Sequence, residues 1–259
     1  MLLPVLMLAS CEITINEEQI FPSDDEALSV RLDEVAEILA MVPLHVSQME
    51  EVHDAVTSSS SNGYDEEYTM TNLFRAPGTG VGDREFRSGK TYEKPLWKLI
   101  EEQVRSMSAT KSLSMDPDSF LEMLTDSDVQ IYWPFSDEWD GEEMPVITFD
   151  PEDGASANIG YRFTVEDDGS RHVEEMVVDE EMAKEAPVWV VNRNDDAGYT
   201  SLEMLRREDP DWGEGGGSII VNPQPKSSEI RNGNPSSPLK TLILKDFTMH
   251  RNYDSWFAG

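Results

Sequence analysis

The densest chemistry in the sequence lies where Tyr132, Trp133, Phe135 and Trp139 fall among Asp137, Glu138 and Asp140. Indole and phenol rings offer flat apolar faces on which sugar rings stack, and carboxylates accept from hydroxyl donors. Tyr132, Trp133 and Trp139 are therefore a candidate aromatic platform for a glycan, set against the commoner use of such rings as core packing. A second pattern, Asn192-x-Asn194-x-Asp196 with Glu203, puts oxygen ligands at positions 1, 3, 5 and 12 of an EF-hand-like calcium loop. Ala197 stands where that loop needs glycine, the preceding element reads as a strand, and Thr200-x-x-Glu203 is equally a helix capping box. Calcium is the one ion the loops suggest, and no resident cofactor is expected otherwise.

Other constellations fail on spacing. Gly78-Thr79-Gly80-Val81-Gly82, followed by Gly89-Lys90-Thr91, invites a phosphate loop, but Arg84 occupies the place of its first glycine. Arg75, Arg84, Arg87, Lys90, Lys94 and Lys98 form one basic island, suited to an anionic ligand or to internal ion pairs, and internal pairs are the favoured use. His45, His53, His172 and His250 include no zinc-binding spacing, and no nucleophile elbow is present.

The elements that must position these residues change period part-way along the chain. Ser23-Asp24-Asp25-Glu26 reads as a capping box opening a helix whose stripe Leu28, Leu32, Val35, Leu39 and Val42 stops at Pro43. Ser47-x-x-Glu50 opens a second helix, Pro95 a third bearing Trp97, Ile100, Val104 and Met107, and Asp116-Pro117 a fourth bearing Phe120 and Leu124. After about residue 127 the period falls to two, with Val129, Ile131 and Trp133, then 146–149, then Tyr161, Phe163 and Val165. Asp168-Gly169 suits a hairpin turn leading to Val173 and Val177, and Pro187–Val191, apolar at every position, reads as a central strand buried on both faces. A short helix over 200–208 and a strand over 218–221 follow. The expected class is α+β: an N-terminal helical layer against a mainly antiparallel sheet, because a doubly wound sheet would alternate the two element types.

The N-terminus has a different character. Met1 to Ser10 is an apolar run, too short for a bilayer span of about 20 residues, that ends at the chain's one cysteine. Leu8-Ala9-Ser10-Cys11 resembles the lipobox of bacterial lipoproteins. That resemblance implies diacylglyceration of the Cys11 thiol, cleavage before it, and an extracytoplasmic protein anchored to a bacterial membrane, at the outer membrane or cell surface. With no second cysteine, no internal disulfide can form.

Fifty-two acidic against 20 basic residues give the 259-residue chain a formal charge of −32. Nucleic-acid binding depends on neutralising phosphates with Lys and Arg, so this charge excludes nucleic acid as a partner. The expected organisation is a signal and lipidation site at 1–11, an acidic tether at 12–22, an α+β domain over 23–222 (helical to 127, β-rich from 128) and a linker at 223–238. A second β domain is expected to begin at 239–259, with the chain part of a longer one. The functional expectation is a lipoprotein acting as a binding or assembly module, with the membrane and a glycan or protein as partners. An extracytoplasmic hydrolase acting on glycan or peptide, assisted by calcium, is the alternative.

Overall fold

A computed structural model describes residues 29–76, 86–109, 113, 115–165, 171–195, 200–208 and 256–257. The leader, the tether, the turn 166–170, Asp196, the linker and the strands expected at 218–221 and 241–247 lie outside these residues. The fold is α+β, with helices packed on a mixed six-stranded sheet that is mostly antiparallel.

Helix α1 (Leu32–Met41) buries Leu32, Val35 and Leu39 of the apolar stripe seen in the sequence, and Ile38 with them. Ser29–Arg31 are not helical, so the described helix begins later than the Ser23 capping box implies. It ends as expected, because a residue before proline is pushed out of the helical region and Val42 adopts ψ 127°. Helix α2 (Val46–Ser60) starts upstream of the expected box: His45 is the N-cap, and its N–H donates to Gln48 Oε1 at 3.0 Å. Helix α4 (Leu96–Ala109) follows Pro95, and α5 (Pro117–Asp126) has Pro117 at its first position, with Asp116 accepting from Ser119 N–H at 3.0 Å.

Within the stretch read as helical lie a strand, β1 (Glu67–Thr69), and a short helix, α3 (Met70–Phe74). A three-residue strand is too short to show a period, and only pairing with β2 (Val129–Tyr132) reveals it, Tyr68 opposing Ile131. Strands β3 (Val146–Phe149), β4 (Ala157–Val165), β5 (Arg171–Asp179) and β6 (Val188–Arg193) complete the sheet in the order β1-β2-β6-β3-β4-β5. The central β3–β6 pair is parallel and the other pairs are antiparallel. Val188 to Val191 are all buried in β6 between β2 and β3, as an all-apolar central strand should be.

The two faces of the sheet are unequal. Val129, Ile131, Trp133, Ile147, Trp189 and Val191 join the helices α1, α2 and α4 in one large core. The opposite face packs Val146, Val178, Val188 and Val190 against Ala183 of α6 (Glu180–Glu185) and against Phe257. Gly160 lies in β4 on this side, where an added Cβ would stand 2.3 Å from Val178 Cγ2, so strand packing there requires glycine. Of the segment expected to begin a second domain, Trp256 and Phe257 are described. Phe257 is buried on this face with its carbonyl accepting from Asn192 Nδ2 at 2.9 Å, and Trp256 Nε1 donates to Ser156 O at 3.0 Å. Among the described residues no helix is long and apolar enough to cross a membrane.

Candidate ligand site

Strands β2 and β3 flank β6, so the connection between them must step over the N-terminal end of β6. That connection carries the aromatic and acidic residues. Trp133 is 1% exposed, with its ring centroid 5.5 Å from Trp139, 5.7 Å from His53 of α2 and 5.9 Å from Trp189 of β6. All three contacts are steep, edge-to-face arrangements of the kind aromatic quadrupoles favour. His53 Nε2 donates to Ser136 O at 3.1 Å, which fixes the tautomer, since a carbonyl only accepts.

The chain then turns sharply. Phe135 takes the left-handed conformation, φ 58° and ψ 32°, which costs a residue with a Cβ about 1–2 kcal/mol. A 3-10 turn, Ser136–Glu138, follows and leads into Trp139. Trp139 Nε1 donates to Glu143 O at 3.0 Å, and Asp140 Oδ1 accepts from Glu142 and Glu143 N–H at 2.9 and 3.2 Å. Those backbone donors hold the Asp140 carboxyl below its ordinary range.

These residues line a cleft of about 180 Å³, closed on its far wall by Lys184 and Glu185 at the end of α6 and by Pro187. Trp133 is the floor and half-exposed Trp139 a wall, with Glu138, Asp140 and Glu143 at the rim. Lys184 is matched by Glu180 and Glu181, each at 2.9 Å, so the cleft is net acidic. An aromatic wall beside several acceptors is chemistry for a ligand rich in O–H or N–H donors.

The remaining sequence candidates fall elsewhere. Tyr132 is not part of this platform: alternation along β2 sends it to the opposite sheet face, where it packs with the second core cluster. Burial, with Glu66 and Asp65 nearby, pushes its hydroxyl up, well above the ordinary tyrosine range.

Of the calcium pattern, Asn192 is fully buried in β6 against Phe257, Asn194 N–H donates to Asp128 O at 2.7 Å, and Asp196 lies outside the described residues. Glu203 is on α7 (Leu202–Glu208) and leans over Gly63, where an added Cβ would meet its Oε2 at 2.1 Å. The cap of α7 is Ser201 rather than Thr200, its Oγ accepting from Met204 N–H at 3.2 Å. Among the described residues no group of three His, Cys, Asp or Glu side chains is placed to hold a metal.

In the basic island two residues form internal ion pairs, Arg75 with Asp126 and Lys90 with Asp54 at 3.2 Å, and Lys98 stands over the Trp97 ring at 5.4 Å. Arg84 lies outside the described residues, and Arg87 meets no carboxylate among them. It lines a second cavity, of about 390 Å³, that sequence reasoning missed, together with Glu51 of α2 and Tyr68 of β1. Glu51 is 5% exposed, and its Oε2 accepts from Leu96 N–H at 2.8 Å. Burial pushes its carboxyl up to about 7 against the pull of that hydrogen bond. In sequence Glu51 is one more acid on a helix among 52 Asp and Glu, and nothing local marks it. Comparison with family models, with curated proteins and with solved structures returns no match.

Proposed function

We propose that this chain is the extracytoplasmic body of a lipid-anchored bacterial lipoprotein that acts as a binding module, with the Trp133–Trp139 cleft taking a glycan. The observation that carries the ligand reading is the cleft itself: an indole wall on a buried indole floor, rimmed by Glu138, Asp140 and Glu143. Exposed carboxylates favour binding over hydrolysis. A glycosidase needs one carboxylic acid held protonated by burial, and the rim carboxylates stand in solvent. The cell-surface location and the anchor rest on Leu8-Ala9-Ser10-Cys11, and two acyl chains suffice for stable attachment.

Two measurements test the reading. Cells fed an alkyne fatty acid should label the protein, and Cys11→Ala should abolish the label; an unlabelled wild type removes the anchor. Titration of the soluble body with neutral hexasaccharides of glucose, xylose and mannose, followed by tryptophan fluorescence, should give a saturable change that Trp139→Ala eliminates. Release of new reducing ends would replace the binder with the hydrolase, and a flat response to all three sugars would remove the glycan.

A further inference from the structure

Arg87 follows α3 on the way to α4, and its Nη1 donates to Asn72 O. Its Nε and Nη2 are buried and meet no acceptor among the described residues. A buried charged donor left without a partner destabilises the fold unless something else accepts from it. These two N–H groups lie on one edge of the guanidinium plane, the fork whose spacing matches both oxygens of a single carboxylate.

The charges around the cavity set the valence of what would enter. Lys90 is neutralised by Asp54 at 3.2 Å and Arg75 by Asp126. Glu51 accepts from Leu96 N–H rather than from Arg87, and its burial favours the protonated, neutral form. Burial, with Glu51 beside it, pushes the Tyr68 hydroxyl well above the ordinary tyrosine range against the opposing pull of Arg87, so it keeps its proton. Among the described residues that line the cavity, one uncompensated positive charge is left below about pH 7, which suits a monoanion better than a phosphate dianion. The walls are Leu73, Phe74, Tyr92 and Trp97, so the charge sits beside apolar and aromatic surface. A volume of about 390 Å³ falls within the usual range of small-molecule sites, roughly 300–1,000 Å³.

We propose that the cavity between α2, α3 and the N-terminal end of α4 is a binding site for a small aromatic or apolar monocarboxylate, clamped by the Nε and Nη2 edge of Arg87. It is separate from the Trp133–Trp139 cleft and does not depend on the glycan reading.

Benzoate is the probe, with benzamide and inorganic phosphate beside it, added to the full chain. Millimolar benzoate should raise the melting temperature and displace one arginine Nε–H signal in the nitrogen-15 spectrum, the signal that Arg87→Lys deletes. Arg87→Lys keeps the charge but loses the fork and should bind benzoate about tenfold more weakly or worse. Should that variant fail to fold, Trp97→Leu serves: it removes an aromatic wall and should weaken benzoate severalfold while leaving the arginine signal in place. The proposal is overturned by an unmoved Arg87 signal, by benzamide or phosphate acting as strongly as benzoate, or by full affinity in Arg87→Lys or in Trp97→Leu.

Discussion

Glu51 and His53 stand two residues apart on α2 and serve hollows of opposite design. The cleft beside His53 is made by a loop stepping over the end of a strand, with its aromatic rings inside and its carboxylates in solvent. The cavity beside Glu51 is made between helices, with its charges inside and its aromatic rings as walls. In the first, the floor is part of the core and the charges are free to meet a ligand's donors. In the second, Glu51 and the Nε–Nη2 edge of Arg87 are themselves buried, so they have already lost water and gain more from a partner that replaces it.

The contrast is broken most forcefully at the cleft floor. Trp133 touches His53, Trp139 and Trp189 and is 1% exposed, so Trp133→Ala removes both the floor of the cleft and a piece of the main core. The expected loss is about 3–5 kcal/mol, read as a lowered urea midpoint. A loss below about 1 kcal/mol would mean that the ring cluster is not packed, and the cleft would lose its rigid base.

The cavity is sharpened by pH. Burial raises the Glu51 carboxyl from 4.5 to about 7, so between those values the folded protein holds a proton that the unfolded chain has released. Stability from this group is complete below 4.5 and is lost as pH rises through about 7. Glu51→Gln keeps an acceptor for Leu96 N–H and cannot ionise. It should match the wild type at about pH 4 and exceed it by on the order of 3 kcal/mol at about pH 8.5, measured by denaturant unfolding at both. Equal differences at the two pH values would show that Glu51 is solvated, and the cavity would then be an open groove.

How much of this is legible in residue order follows from how local each signal is. Asp116-Pro117 marks the start of α5 because a cap is made within four residues, and Val188–Val191 reads as a central strand because both its faces are apolar. β1 and the parallel β3–β6 pairing leave no such trace, since they depend on registers between distant segments. In the cleft the ring types were legible, and the period of two along β2 already placed Tyr132 opposite Trp133. The cavity was not. Glu51 is buried where α4 begins beside it, and the Nε–Nη2 edge of Arg87 is left open where Arg75 and Lys90 pair with Asp126 and Asp54, contacts between segments distant in the chain.

The smallest expected effect tests whether the two hollows are independent. His53 ties α2 to the cleft loop through one hydrogen bond to Ser136 O and ring contacts with Trp133 and Trp139. His53→Ala should cost about 1 kcal/mol, the worth of one such bond, and should weaken hexasaccharide binding because the loop loses its tie to the helix. Benzoate affinity at Arg87 should not change, because Glu51 remains fixed by Leu96 N–H and Asp54 still holds Lys90. A parallel fall in both affinities would mean that α2 moves as one lever between cleft and cavity, and each ligand would then alter the affinity for the other by the same factor.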